Sequence, residues 1–333
     1  MAFEFSLFSV LACLCLVVSA AQISLGAVLC LLIVAGLAIR AYVGVPPTLK
    51  GNMLPRRYGG KRFELIAMPV NHFGEKVRFC LDLLGLPYEE TTYCGILNIL
   101  LFGQSVPQLN DRQSCSHIGN SDEILRYLYG LYSASNKAAE AFLKQTEATL
   151  EWELVLNKLG HAIQGWAYYY LLGKGFSSEF ALVCWGVYDE KCPLVQRCLM
   201  KACTAPVKAF MRSAFKLDRS SLRDERKAII DEALTRVDAA VGPDGKGYIV
   251  GDQLTYVDIT FASLVAPLMA NGFLFQDPCL WARGRFRSFA EAGNRGTART
   301  LPPEVQVFEQ DLARRPCGKF VTRIYNSYRS KIL

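Results

Sequence analysis

The stretch from Phe63 to Glu90 constrains this chain more than any other. Phe63-Glu64-Leu65-Ile66-Ala67 is a short apolar run stopped by Pro69, a pattern that predicts a buried strand. After a loop, apolar residues recur at Phe73, Val77, Cys80, Leu81 and Leu84. That is helical spacing, and Gly85 is suited to end it. Leu86 to Tyr93 then starts a second strand. Strand, helix and strand at this spacing predict a βαβ unit and a parallel sheet. Ligands of such sheets lie beyond the carboxyl ends of the strands, so the loop from Met68 to Gly74 is where chemistry is expected.

Three short motifs in this region and beyond it carry a resemblance. Asn71-His72-Phe73-Gly74-Glu75-Lys76-Val77-Arg78, followed by Gly85-Leu86-Pro87-Tyr88-Glu89-Glu90, resembles the first βαβ of a glutathione transferase. It is similar to the variant with Ser-His-Tyr-Cys-Glu-Lys-Val/Ala-Arg, found in a bacterial-type group. Asn71 stands where that variant has its thiol-activating serine, and Gly74 where it has a cysteine. Gly103-Gln104-Ser105-Val106-Pro107-Gln108-Leu109 matches the family's Val-Pro-x-Leu. The match implies a cis Val106–Pro107 bond that offers the Val106 main chain to the cysteinyl part of glutathione. Asn120-Ser121, ahead of an apolar pattern at Ile124, Leu125 and Leu128, stands where the family has Glu/Asp-Ser. That pair binds the γ-glutamyl carboxylate and amine. By its own chemistry Ser121 is either a ligand contact or a helix cap.

The resemblance therefore implies a thioredoxin-like α/β domain over residues 61–132 and an all-helical domain over 135–333, with glutathione as substrate. It implies Asn71 and His72 as catalytic residues, His72 with a structural side to its role, and Gln104, Val106, Pro107, Asn120 and Ser121 as glutathione contacts. The partner would be a small apolar electrophile, and relatives are commonly homodimers. A thiol–disulfide exchange enzyme would need a cysteine at position 71 or 74, and neither is one. The departures at Asn71, Gly74 and Asn120 leave a second reading, a catalytically inactive binding or scaffold module on the same fold.

From Ser135 onward the pattern is helical. Ala138 to Leu159 reads as one long amphipathic helix, and Arg223 to Val241 as another, ended by Gly242-Pro243-Asp244-Gly245. The run Trp166-Ala167-Tyr168-Tyr169-Tyr170 suits either core or the lining of an apolar pocket. Thr255 and Asp258 form a capping pair ahead of an apolar helix over Ile259–Leu268, which resembles the buried central helix of the family's second domain. The tail from Leu301 to Tyr325 resembles the family's C-terminal extension and is expected to pack as helix on the all-helical domain.

Hydrophobic residues make up 51% of the chain and charged ones 20%, apolar enough to suggest a membrane segment. Phe5 to Ile39 contains no charge. As one helix it would be about 50 Å long against a hydrocarbon core of about 30 Å, so residues 1–40 read as an anchor or a leader, in two pieces around Ser19–Ser24. Cations from Arg40 to Arg62 follow it, across a basic Pro/Gly-rich linker at 41–60. The positive-inside rule then places the body in the cytosol, on a membrane such as the endoplasmic reticulum, with organelle targeting as the alternative. Of the twelve cysteines none is paired as C-x-x-C, and three histidines are few, so no metal is expected. The net charge of +7 comes without a nucleic-acid-binding motif, so no nucleic-acid partner is expected either.

Overall fold

In a computed structural model, residues 60–68, 71–94, 106–172, 181–182, 185–188, 192–269 and 303–329 are described. The expected anchor or leader, the linker, Gln104 and a short helix expected near Ile96–Phe102 lie outside these residues. Among the described residues no helix is long and apolar enough to cross a membrane.

The βαβ unit forms as the pattern requires. β1 (Phe63–Ala67) is followed by α1 (His72–Leu83) and β2 (Tyr88–Thr92), with Gly85 at φ +63° past the helix end. β1 and β2 run parallel, Phe63 opposite Tyr88 and Ala67 opposite Thr92. The sheet as a whole is mixed, which corrects the expectation of a parallel one. β3 (Gln108–Asp111) and β4 (Ser116–Gly119) are antiparallel, and the strand order is β2-β1-β3-β4. The four-residue connection 112–115 is too short for a crossover, so β3 and β4 can only pair as a hairpin; Cys115 takes φ +55° in that turn. β1 and β3 are central and mostly buried, while β2 and β4 are half-buried edges.

The rest is helical. α2 (Ser121–Tyr132) returns along the sheet and leads to α3 (Lys137–Leu143) and α4 (Glu147–Leu171). The single helix expected from Ala138 to Leu159 is thus two. Lys144 leaves the helical region at ψ 127°, and Thr146 restarts the chain with a capping box to Thr149. α5 (Leu194–Ala202), α6 (Thr204–Ala214) and α7 (Ser220–Val241) follow, the last stopping at Gly242 with φ +75°. α8 (Tyr256–Val265) is buried at every residue and packs on α1, α4 and α10 (Pro316–Ile324). Asp258 opens it as expected, accepting from the Thr255 amide at 2.7 Å and the Ile249 amide at 2.8 Å. Within the aromatic run, Trp166 and Tyr170 are buried, Tyr168 and Tyr169 partly so, and their rings stack on Phe308, Phe215 and one another.

α9 (Pro303–Arg314), α10 and a final turn at Tyr325–Arg329 form the tail. It packs on the helical part as expected and also reaches the α/β part. Buried Arg329 pairs with Glu75 and Asp82 of α1, and Tyr325 stacks on Phe79 at 5.3 Å.

Candidate functional site

Register fixes where the motifs meet. Ile66 near the end of β1 faces Gln108 at the start of β3, and Gln108 faces Gly119 at the end of β4. The loop after β1, the segment before β3 and the start of α2 therefore share one end of the sheet. Asn71, Val106, Pro107, Asn120 and Ser121 all belong to that end. The Val106–Pro107 bond is cis, and Val106 lies just outside the ladder.

Asn71 is held from both ends of its amide. Its Oδ1 accepts from the Gly74 amide at 2.8 Å, capping α1, and its Nδ2 donates to the Val106 carbonyl at 3.4 Å. An amide nitrogen has two hydrogens, so one remains to donate. His72 turns the other way. Its ring is buried, with Nε2 3.2 Å from the Gly160 carbonyl of α4, and burial with nearby His161 lowers its pKa to about 4. A neutral imidazole donating to a carbonyl joins the loop to the helical part. Phe73 packs beside it so closely that a Cβ on Gly160 would meet the Phe73 ring at 2.6 Å.

The start of α2 is different. Asn120 occupies the cap position with φ +68° and ψ 136°, exposed, and its side chain makes no capping bond. Ser121 follows as the first helical residue, 1% exposed, and its Oγ has no hydrogen-bond partner among the described residues. The Ile124 amide bonds back to the Asn120 carbonyl, so the amides ahead of it have no acceptor within the helix. A helix N-terminus with a buried, unpartnered hydroxyl suits an anionic oxygen ligand.

The next residue carries charge, and that charge is compensated. Asp122 pairs with Lys76, fully buried on α1, and accepts from Asn157 Nδ2 at 2.7 Å. Arg78 forks onto Glu90 at 2.7 and 3.0 Å and donates to the Met68 carbonyl at 3.0 Å, tying the end of β1 to α1 and β2. Reading the sequence for function did not single out these pairs. A signal was available: Glu75, Lys76 and Arg78 stand within a helix buried from Gly74 to Leu81, and buried charges require partners. Cys80 is core, its thiol pushed up to about 12 by burial, as the apolar pattern of α1 implied. Among the described residues no cluster of histidine, cysteine or carboxylate side chains could hold a metal ion.

No protein-family model matches this chain, and no curated protein matches it. Among solved structures it is similar to Ure2p in complex with glutathione, at 14% identity over 83% of this chain and 97% of that one, with a TM-score of 0.45. It is similar to a glutathione transferase homolog from Lodderomyces elongisporus with two glutathiones per subunit, at 14% identity, 79% and 99% coverage and a TM-score of 0.42. A glutathione S-transferase of Ceriporiopsis subvermispora in complex with glutathione gives 13% identity, 80% and 96% coverage and a TM-score of 0.46.

Proposed function

We propose that this protein binds glutathione at the end of the sheet where Ser121, Val106 and Asn71 meet, and conjugates it to small apolar electrophiles. The observation that carries the reading is the buried Ser121 Oγ, unpartnered at the first turn of α2. A carboxylate there would accept from that hydroxyl and from the free amides behind it, at the positive end of the helix dipole. Of the two acids in that first turn, Lys76 neutralises Asp122 and Arg126 pairs with Glu123. The main chain of Val106 lies outside the ladder and provides a strand-like edge for a peptide.

Asn71 is the candidate donor to the thiol, through its remaining N–H. Stabilising the thiolate lowers the thiol pKa, and the sulfur then attacks carbon, forming a C–S bond as the leaving group departs with its electron pair and the thiol proton passes to solvent. His72 acts as a positioning residue that holds the loop to α4. In this proposal the apolar stretch 5–39 attaches the body to a membrane, where apolar electrophiles concentrate.

The test is calorimetric titration of glutathione into the full-length chain in detergent. Binding in the millimolar range or tighter is expected, weakened at least about tenfold by Ser121→Ala, the loss of one charge-assisted hydrogen bond. The same substitution should leave stability unchanged or slightly raised, because it removes a hydroxyl that has no partner in the free protein. No heat at millimolar ligand, or equal affinity in Ser121→Ala, would sink the reading. A bound thiol whose ultraviolet titration matches that of free glutathione would instead support the scaffold reading, with binding but no activation.

A further inference from the structure

Seven large hydrophobic side chains are exposed among the described residues, and four of them, Leu194, Val195, Leu199 and Phe210, fall on α5 and α6. The two helices meet at Cys203, which ends one and begins the other. Leu194, Val195 and Leu199 share one face of α5 and Phe210 is exposed on α6, so the two neighbouring helices together carry an exposed apolar surface. Met200, Thr204 and Met211 lie on the opposite side, buried against the body. The usual arrangement is inverted: the apolar face that a surface helix normally turns inward here also faces outward.

Charge selects what covers it. From Cys192 to Leu217 there is no acidic residue and there are five basic ones. Arg197 and Lys201 on α5, and Lys208 and Arg212 on α6, are each four residues apart, so each helix carries a basic side flanking its apolar positions. Arg197 is anchored to the Val187 carbonyl at 2.8 Å and Lys201 lies over the Tyr188 ring at 5.0 Å, so both are held in place beside them. Burial, with Arg212 nearby, lowers the pKa of Lys208, and Arg212 pairs outward with Asp218.

We propose that α5 and α6 form an interfacial membrane-binding element, which lies in the headgroup region of an anionic bilayer with Leu194, Val195, Leu199 and Phe210 inserted and the basic edge against lipid phosphates. Apolar burial plus attraction between basic side chains and anionic lipid is the physics of such helices. A second copy of the chain is the poorer occupant, since the same surface would add four more cations against one neighbouring acid, Asp218. This surface is separate from the proposed glutathione site, and neither depends on the other.

The test is hydrogen–deuterium exchange of the full-length protein, followed by mass spectrometry. It is run in detergent, in phosphatidylcholine vesicles, and in vesicles containing about one-third phosphatidylserine. Amides of 194–214 should exchange at least about fivefold more slowly on the anionic vesicles, with little change on the neutral ones, while α7 is unaffected. Salt at about 0.5 M should remove most of the difference. In Val195→Asp/Phe210→Asp, two changes at exposed positions checked by circular dichroism to keep the parent's helix content, the protection should vanish. Lys201→Gln should reduce it on the anionic vesicles alone. Unchanged exchange on anionic vesicles would overturn the proposal. So would equal protection on both vesicle types, or protection that grows with protein concentration without lipid, which would make the cover a second copy.

Discussion

The starts of α1 and α2 point to the same end of the sheet, and they are built in opposite ways. At α1, Asn71 caps the helix, bonds across to Val106 and leaves one hydrogen to spare. At α2, Asn120 caps nothing and the Ser121 hydroxyl is buried without a partner. One terminus is finished by its own side chains, while the other is left open to a ligand. A self-capped terminus contributes to stability in the free protein; an open one contributes only when something binds. The proposed site therefore divides into a half that holds the fold and a half that holds the ligand, and substitutions at the two should separate in what they change.

The largest expected effect lies where the two helices are joined. Lys76 on α1 is fully buried against Asp122 on α2. Lys76→Met fills the same volume but leaves Asp122 buried with Asn157 alone, at an expected cost of about 3–5 kcal/mol. Urea unfolding measures this, and the double variant Lys76→Met/Asp122→Leu should recover most of it. If the single change costs less than about 1 kcal/mol, the charge on Asp122 is not compensated by Lys76 and opposes an anion at the open terminus of α2.

His72 tests the finished half through pH. It is neutral in the fold with a pKa of about 4, against an ordinary value of 6.5. Between those values the unfolded chain takes a proton that the folded one does not. Stability from this group is thus complete above pH 6.5 and lost as pH falls towards 4, by up to about 3 kcal/mol. Asp258, pushed up to about 6 by burial despite hydrogen bonds from Ile249 and Thr255, works with the opposite sign over much of the same range. The comparison is therefore between parent and His72→Gln. The variant should lose the part of the acid sensitivity that the parent shows between pH 6.5 and 4. Parallel stability curves would mean that the ring is not held neutral against Gly160.

Much of this was legible in the chain, at the level where local pattern decides. Period and punctuation gave β1 to its residue, the end of α1 at Gly85, and the Asp258 cap. The mixed sheet was not legible in the βαβ pattern, because β4, with Ser116, His117 and Gly119, lacks the apolar run that marks a strand. The break at Lys144 was missed because the apolar spacing runs through it; the signal was Thr146 with Thr149, an unconventional capping box. For the site, the family resemblance implied that Asn71, Val106 and Ser121 act together, but side-chain bonding is not written in a motif. That Asn71 is already engaged, that Ser121 is not, and that His72 faces α4 depend on packing between segments far apart in the chain.

Asn71→Ala should cost about 1 kcal/mol in stability, the loss of one helix cap. Its effect on glutathione affinity should be smaller than that of Ser121→Ala, while the bound thiol pKa should rise towards that of free glutathione. The two single variants measured together, by unfolding and by calorimetry, form a crossed pair: stability falls in one and affinity in the other. If Asn71→Ala weakens binding as much as Ser121→Ala does, both termini hold the ligand equally and the division fails.

The smallest effect is the sharpest check on where that division runs. Gly74 is the third residue of α1 and gives its amide to Asn71. A Cβ there would lie 3.4 Å from the Arg78 guanidinium and the Asn71 Cβ, within ordinary contact. Gly74→Ala keeps the amide donor and lowers the entropy of the unfolded chain, so a gain of about 0.5 kcal/mol is expected, read as a small rise in midpoint on thermal unfolding. Glutathione affinity should change little, because the added methyl packs on Arg78 and the Asn71 Cβ and leaves the remaining Asn71 N–H free for the thiol. A stabilised variant with weakened binding would show that the ligand lies against the first turn of α1, and the open half of the site would then extend across both helices.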